Sequence, residues 1–358
     1  TVQVREQVDP GCFEFLHLVE EPHVPWLREQ LEGGARVGCD PRTHSWRWYE
    51  QARNTLAQKG IELVPLADNP VDHCWNDRPV AAAQPALLLD ERYTGASSLE
   101  KRRDLGERVA QANAGAAVIF AADSASWLLN IRGRDVPCLP LVLGLGLVHA
   151  DGRFDFFTDT SKLPAGFDDH VGEGVAVHAE RDAGAMLATL SDQRVLLDSD
   201  TANAWCYLAL EEAGAEIVHG SDPSLVPRAC KNPVQVQGMR DAHVRDGVAE
   251  VKFLAWLAGE VAAGRLHDEA VLSDRLHAFR AEQELFQEPS FDTISAAGPN
   301  AAMAHYNHRN GTPAPLAMDS VYLVDSGGQY LDGTTDITRS VAIGDPGDEA
   351  RRMFTLVL

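Results

Sequence analysis

Two aspartates near the end of the chain have the setting of a paired carboxylate site. Asp325 ends an apolar strand predicted over residues 321–325, and Asp336 opens a second strand that runs to residue 343. Burying an uncompensated carboxylate costs free energy, so two acids placed this way need a cation or a hydrogen-bond network. Carboxylate oxygens are also the ligands that hard divalent cations prefer. The residues therefore indicate a site for divalent ions.

The register of this hairpin decides whether the two acids can share ions. A tight turn over residues 332–333 would separate them by four residues, or roughly 13 Å. A wider loop centred between Tyr330 and Leu331 would set Asp325 directly opposite Asp336, with Cβ atoms about 4.5–5.5 Å apart. That separation suits two bridged ions about 3.5–4 Å apart. We predict the wider loop.

Two other interpretations fit part of the same segment. The twelve residues from Asp325 to Asp336 match the length of a calcium-binding loop, but Tyr330 occupies the position of its invariant glycine and Gly327 offers no side-chain oxygen. An ordinary surface hairpin whose turn acids are simply solvated also fits the spacing. Spacing alone leaves this second alternative open.

Histidines supply the other candidate for chemistry. His305 follows a turn of small residues and could be a metal ligand, an acid/base group or a polar loop residue. His308 lies in a hydrophilic stretch, and we expect it to face solvent. His267 and His277 are ten residues apart and point to nearly opposite sides of a helix, which favours structural roles.

The elements that must position these residues are predicted to form three domains, over residues 1–70, 71–228 and 229–358. The first combines a strand over residues 1–5, a helix over 46–58 and a strand over 61–64, and it ends in a loop over 65–85. The second alternates helices and strands, which predicts an α/β layer with substantial parallel pairing. Its predicted strands cover residues 116–121, 139–149, 153–158, 195–197 and 216–218, and its helices cover 98–112, 181–190 and 202–213.

The third domain has a different pattern. A single helical period over residues 234–263 places Val244, Val248, Val251, Ala255 and Ala258 on one side. A second helix is predicted over 268–284, antiparallel strands over 292–297, 321–325 and 336–343, and a further amphipathic helix from 349. The predicted fold is thus α/β followed by α+β.

Composition limits the possible partners. The chain has 53 acidic and 31 basic residues, for a formal net charge of −22, which disfavours binding to nucleic acid. Its longest apolar run, residues 139–148, is about half the length that spans a bilayer, so we expect no membrane segment. Its 6 cysteines form no CxxC pair, which is typical of a reducing compartment.

The hairpin and the histidine segment together resemble the Xaa-Pro aminopeptidase (aminopeptidase P) branch of the pita-bread metallopeptidases, in its three-domain cytosolic type. The resemblance covers nearly the whole chain. It is carried by DSGGQYLDGTTDITR (325–339) and TISAAGPNAAMAHY (293–306), with support from VDHCWNDRP (71–79), YTG (93–95), SWLLNIRGRDVP (126–137) and KNPVQVQGMRDAHVRDGVA (231–249).

This resemblance implies two creatinase-like N-terminal α/β domains followed by part of a pita-bread catalytic domain. It implies two divalent metal ions, Mn²⁺ foremost and Zn²⁺ or Co²⁺ as alternatives, with Asp325 binding one ion and Asp336 bridging both. His305 would be a non-ligand histidine that contacts the substrate near the scissile carbonyl. A metal-bridging hydroxide would attack the first peptide bond of a substrate with proline second, while a glutamate shuttles the proton. The family further implies a cytoplasmic homodimer.

The sequence also departs from the family pattern. The His-Gly-x-Gly-His segment and two later ligand glutamates have no counterpart in residues 1–358. We therefore expect a chain truncated at both ends, in which this segment alone binds metal weakly and is inactive. A prolidase-type dipeptidase and a non-catalytic peptide- or protein-binding module are the alternatives.

Overall fold

The computed structural model describes residues 2–79 and 84–358. The fold has three parts along the chain. The first stretch, residues 2–79, is small and is built on a two-stranded parallel sheet, in which Arg36 pairs with Glu62. Ser45 begins the longest helix of this stretch, where its Oγ accepts a hydrogen bond from the Trp48 amide at 3.3 Å. The elements are α1 Val2–Gln7, α2 His23–Gln30, β1 Arg36–Cys39, α3 Trp46–Ala57, β2 Glu62–Pro65 and α4 Pro70–Cys74.

Two predictions for this stretch were wrong. The strand expected over residues 1–5 is the helix α1 wherever it is described, and residue 1 lies outside the described residues. Alternation over five residues is too short to separate strand from helix. The loop expected over 65–85 contains the helix α4, which Asn69 caps by accepting from the Val71 amide at 2.9 Å; residues 80–83 of that loop are not described.

The second stretch, residues 84–229, is built around a six-stranded mixed sheet of order β10-β9-β4-β6-β7-β8. The β10–β9, β9–β4 and β7–β8 pairs are parallel, as the alternating pattern predicted, and β4–β6 and β6–β7 are antiparallel. Apolar clusters cover the sheet on both faces. The strands are β3 Leu87–Leu88, β4 Ala116–Ile119, β5 Ile131–Arg132, β6 Leu145–His149, β7 Phe154–Thr158, β8 Val175–Ala179, β9 Arg194–Leu197 and β10 Glu216–His219.

Helices pack around this sheet and tie it to the first stretch. Trp46 of α3 stacks on Tyr207 with ring centroids 3.4 Å apart, and its amide donates to the Ala202 carbonyl at 2.9 Å. The helices are α5 Glu91–Thr94, α6 Ser98–Gln111, α7 Ala122–Leu129, α8 Phe167–Val171, α9 Ala183–Ala188, α10 Ala204–Ala213 and α11 Leu225–Ala229.

The strand predicted over 139–149 is shorter than expected. β6 begins only at Leu145, because the preceding amides are already used or missing. Pro140 has no amide hydrogen, Val142 donates to Ser126 Oγ at 3.1 Å, and Leu143 donates to Asp135 Oδ2 at 2.7 Å. A segment whose donors are taken by side chains cannot join the sheet.

In the third stretch, residues 233–358, two helices pack against two antiparallel sheets, of order β12-β13-β16 and β11-β14-β15. The predicted helices and the three predicted strands are present, but three further strands, over residues 286–289, 328–330 and 333–334, were not predicted. The elements are α12 Pro233–Ala262, α13 Glu269–Ala281, β11 Phe286–Pro289, β12 Ile294–Ala297, β13 Ser320–Ser326, β14 Gly328–Tyr330, β15 Gly333–Thr334, β16 Ile337–Ile343 and α14 Gly347–Val357. None of the helices in the described ranges has the length and hydropathy to cross a membrane.

The long helix α12 turns a different face inward from the one that valine spacing suggests. Val244 and Val251 are 68% and 66% exposed, whereas Phe253 and Leu257 are buried. Both faces of α12 carry apolar residues, so periodicity alone could not decide between them. The buried face is the one that also carries large side chains able to pack on α13 and the sheet.

Candidate metal centre

The aspartates lie on one continuous hairpin formed by β13–β14 and β15–β16. Tyr330 pairs with Gly333, so the turn consists of only two residues, Leu331 and Asp332. The predicted wider loop is therefore wrong. In the observed register Asp325 lies opposite Thr338, which puts Asp336 two positions away along the partner strand rather than directly opposite.

Contacts at the tip explain why the turn is tight. Asp332 forms an ion pair with Arg245 of α12, and the Leu331 amide donates to the Leu285 carbonyl at 3.1 Å. Gly238 of α12 lies so close to the tip that an added Cβ would overlap the Asp332 carbonyl oxygen. These partners are 40 or more residues away in sequence, so the hairpin sequence could not reveal them.

The acids nevertheless converge. Residues two apart along a strand share a face, so Asp336 lies on the same face as Thr338 and points to the same side as Asp325. The two carboxyl groups lie close enough for the charge of Asp325 to raise the pKa of Asp336. Thr338 Oγ1 donates to Asp325 Oδ1 at 2.7 Å. The two acids are thus a diagonal pair on one face of the hairpin, not a directly opposed one.

Electrostatics at the pair favour a bound cation. Loss of hydration raises the pKa of the Asp336 carboxyl, and the charge of Asp325 and the hydrogen bond between them raise this pKa further. Two carboxylates in contact repel each other when both are ionised, and a divalent cation between them removes that penalty. Carboxylate oxygens suit Mn²⁺ and Mg²⁺ by ligand type.

The donor set is partial. Among the residues that the structure describes, no group of three or more His, Cys, Asp or Glu side chains could hold a metal ion. Asp325 and Asp336 supply two carboxylates on one face, a donor type that suits divalent cations. A complete centre would need further donors.

Gly327 permits the close crossing between the two halves of the hairpin. An added Cβ at Gly327 would overlap the backbone carbonyl oxygen of Thr335. Around this point Gly328 N donates to Thr335 Oγ1 at 2.9 Å, and Ser290 Oγ donates to the Thr335 carbonyl at 2.8 Å. Because Gly327 lies between the two acids along the hairpin, its size controls their approach.

Replacing Gly327 by alanine is therefore expected to displace the Thr335 carbonyl and to lower the free energy of unfolding by about 1–3 kcal/mol. Urea unfolding followed by circular dichroism measures this change. Gly259→Ala is the matched control, since Gly259 lies in α12 with no heavy atom within 4 Å of its added Cβ. Equal stability of the two variants would show that the crossing at Gly327 is not tight.

A buried ionic network holds the hairpin against the helices. Tyr330 Oη donates to Asp246 Oδ1 at 2.9 Å, and Arg280 donates to both oxygens of Asp246 at 2.6 and 3.1 Å. Glu250 lies 3.7 Å from Arg280, and burial raises the pKa of its carboxyl. Sequence reasoning missed this network, although two acids four residues apart on the core face of α12 were a usable signal.

His305 lies in the segment between β12 and β13, and its side chain is exposed. β12 pairs with β13, with Ile294 opposite Asp325, so one sheet carries both the histidine segment and the first aspartate. The expectation for His308 was wrong: it is 4% exposed, because the short 3-10 turn His308–Asn310 packs inward. Burial first, and then the charge of Arg309, lower the pKa of the His308 imidazole.

Comparison with known protein families agrees with this architecture. Residues 77–235 match the creatinase/prolidase N-terminal domain. Residues 237–358, which contain the aspartate hairpin, match metallopeptidase family M24. The chain is thus similar to proteins that join a creatinase-type N-terminal domain to an M24 metallopeptidase domain. The predicted fold class, with creatinase-like α/β structure preceding a pita-bread domain, is confirmed.

Curated relatives are identical to this chain at about a third of the aligned positions. It is 34% identical over 344 residues to a protein from Neosartorya fischeri named "Probable Xaa-Pro aminopeptidase P", covering 93% of this chain and 52% of the relative. It is 35% identical to an Aspergillus niger protein of the same name, of which it covers 56%. The chain thus spans about half the length of the curated relatives it matches.

Solved structures give the same result. X-prolyl aminopeptidase from Caenorhabditis elegans, described as a cytosolic enzyme with a di-nuclear active site, superposes with a TM-score of 0.85 at 32% identity, covering 96% of this chain and 55% of that one. Xaa-Pro dipeptidase from Bacillus anthracis superposes with a TM-score of 0.56 at 21% identity, with 73% and 69% covered. The second likeness shows the fold alone.

Proposed function

We propose that the protein is a metal-dependent Xaa-Pro aminopeptidase, which releases the first residue of peptides with proline in second position. The observation that carries this proposal is the register of the hairpin, which sets Asp325 and Asp336 on one face as a diagonal cross-strand pair. The names of relatives that are 32–35% identical support the substrate class.

In this proposal Asp325 binds one divalent ion and Asp336 bridges two. Mn²⁺ is the first candidate, with Zn²⁺ or Co²⁺ as alternatives. Two bound ions supply activated water and polarise the scissile carbonyl. His305 contacts the substrate near that carbonyl, where a hydrogen bond to the developing negative charge lowers the barrier. We place the protein in the cytoplasm, in line with the description of the C. elegans enzyme as cytosolic, and we propose a homodimer on the family resemblance.

The test uses the full-length gene product, reconstituted with Mn²⁺ and given two substrates. An Xaa-Pro dipeptide and a longer peptide of the same first two residues are compared by chromatography. We expect release of the first residue from the longer peptide, and loss of release when a chelator removes the metal. Cleavage of the dipeptide alone would identify a prolidase-type dipeptidase instead. Binding of the peptides without cleavage of either would identify a non-catalytic binding module.

A further inference from the structure

Glu269 is a fully buried carboxylate whose four hydrogen-bond donors all lie in one segment. Its exposed fraction is 0%, although it is the first residue of α13. Oε1 accepts from the Ala297 amide at 2.8 Å and from Asn300 Nδ2 at 2.9 Å. Oε2 accepts from Tyr306 Oη at 2.7 Å and from the Ala314 amide at 2.8 Å. Every one of these donors belongs to residues 297–314.

These contacts hold the segment at both ends and in the middle. Ala297 is the last residue of β12, Tyr306 directly follows His305, and Ala314 lies where the segment returns toward β13. Asn300 Nδ2 also donates to Tyr306 Oη at 2.9 Å, which cross-links the middle of the segment to its start. The buried Glu269 carboxylate thus binds an 18-residue segment at several points, and the helical structure within that segment consists of short 3-10 turns.

The backbone of Glu269 is bound to the same structure. Its amide donates to the Ala314 carbonyl at 3.1 Å, and its carbonyl accepts from Ser295 Oγ at 2.7 Å. The start of α13 does not need the Glu269 carboxylate, because Asp268 is the N-cap and accepts from the Val271 amide at 2.9 Å. The Glu269 carboxylate therefore stabilises residues 297–314 rather than the start of α13.

We infer that Glu269 is the positioning residue for His305: its carboxylate binds both ends and the middle of residues 297–314 and so fixes the place from which His305 reaches the substrate. This inference rests on the proposed function. Glu269 touches neither substrate nor metal in this role. It acts through Tyr306 and the two backbone amides. Bonds from charged groups are the stronger kind, which suits a fixed rather than a mobile segment.

Glu269→Gln is the sharpest test, because it keeps the shape and removes the charge. A glutamine has one oxygen, so in either orientation its NH₂ group faces two of the four donors. We expect kcat on a longer Xaa-Pro peptide to fall about 10- to 100-fold while KM changes less than about threefold, as for a misplaced catalytic group. Amide hydrogen exchange at Ala297 and Ala314 should become about tenfold faster or more.

Asp268→Ala is the matched control in the full-length protein. It removes the N-cap of the same helix and should lower thermal stability, while kcat and exchange at Ala297 and Ala314 stay as in the wild type. If Glu269→Gln does not fold, Tyr306→Phe removes a single donor and should lower kcat several-fold with KM retained.

The outcomes separate cleanly. Lower kcat with retained KM and faster exchange in Glu269→Gln, absent from Asp268→Ala, supports the inference. Wild-type kcat, unchanged exchange, or a loss that Asp268→Ala reproduces overturns it. A wild-type protein that releases no residue from Xaa-Pro peptides refutes the proposed function, and with it the assignment of Glu269 to that reaction. Unchanged amide exchange in Glu269→Gln refutes the role of Glu269 in holding residues 297–314, even when the wild type is active.

Discussion

Asp336→Asn in the full-length gene product should reduce kcat/KM for an Xaa-Pro peptide by about 10³-fold or more. The substitution keeps the size of the side chain but removes the charge that Asp336 contributes beside Asp325. Metal assistance contributes several kcal/mol to transition-state stabilisation, and about 1.4 kcal/mol corresponds to a tenfold change in rate. Initial rates of first-residue release at saturating Mn²⁺ measure the effect.

Asp332→Asn provides the control within the same hairpin. Asp332 lies at the tip, where it pairs with Arg245, so the same change in charge is made at the far end of the hairpin from the carboxylate pair. Both side chains of this pair are mostly buried, so we expect a loss of stability of about 1–3 kcal/mol, with a rate within about threefold of the wild type. Equal losses of rate in the two variants would mean that general hairpin charge, and not a metal site, accounts for the activity.

Arg280→Met is expected to have the largest effect on stability. Arg280 is 2% exposed and lies between Asp246 and Glu250, which are 0% and 3% exposed. Removing the cation leaves two buried carboxylates without compensation, which costs about 3–5 kcal/mol. Thermal and urea unfolding should show a lower midpoint, and Tyr330 should lose its ordered partner at Asp246, which loosens the aspartate hairpin.

The control for this variant is Arg36→Met. Arg36 pairs with Glu62 at 3.0 Å, but both side chains are more than 60% exposed. Solvent screens such pairs, so the loss should stay below about 1 kcal/mol. If Arg280→Met were no more destabilising than Arg36→Met, the network around Asp246 would not hold the hairpin to α12.

The sequence predicts those parts of the fold that depend on local pattern. The bounds of α12 and β13 follow from a helical period and from an apolar run, and both lie within a residue or two of their predicted positions. The choice of Asp325 and Asp336 as a pair also required only their positions, at the end of one strand and at the start of the next. Family motifs in the same segment made that choice specific, while the metal roles of the two acids stay a prediction.

The parts that could not be predicted depend on contacts between distant residues. The turn at Leu331 and Asp332 is set by Arg245 and Leu285, and the inward face of α12 is set by its packing on α13. The burial of His308 follows from the path of a segment that Glu269 anchors from across the domain. None of these partners is adjacent in sequence to the residues that it controls.

Measuring the bound metal most directly tests whether Asp325 and Asp336 bind a shared pair of cations. The full-length protein is loaded with Mn²⁺, its metal content is measured by mass spectrometry, and electron paramagnetic resonance detects magnetic coupling between neighbouring ions. The proposal predicts about two Mn²⁺ per polypeptide, coupled in the wild type and uncoupled or reduced in number in Asp336→Asn. A wild-type protein with isolated ions, or an Asp336→Asn variant with the full coupled pair, would contradict it.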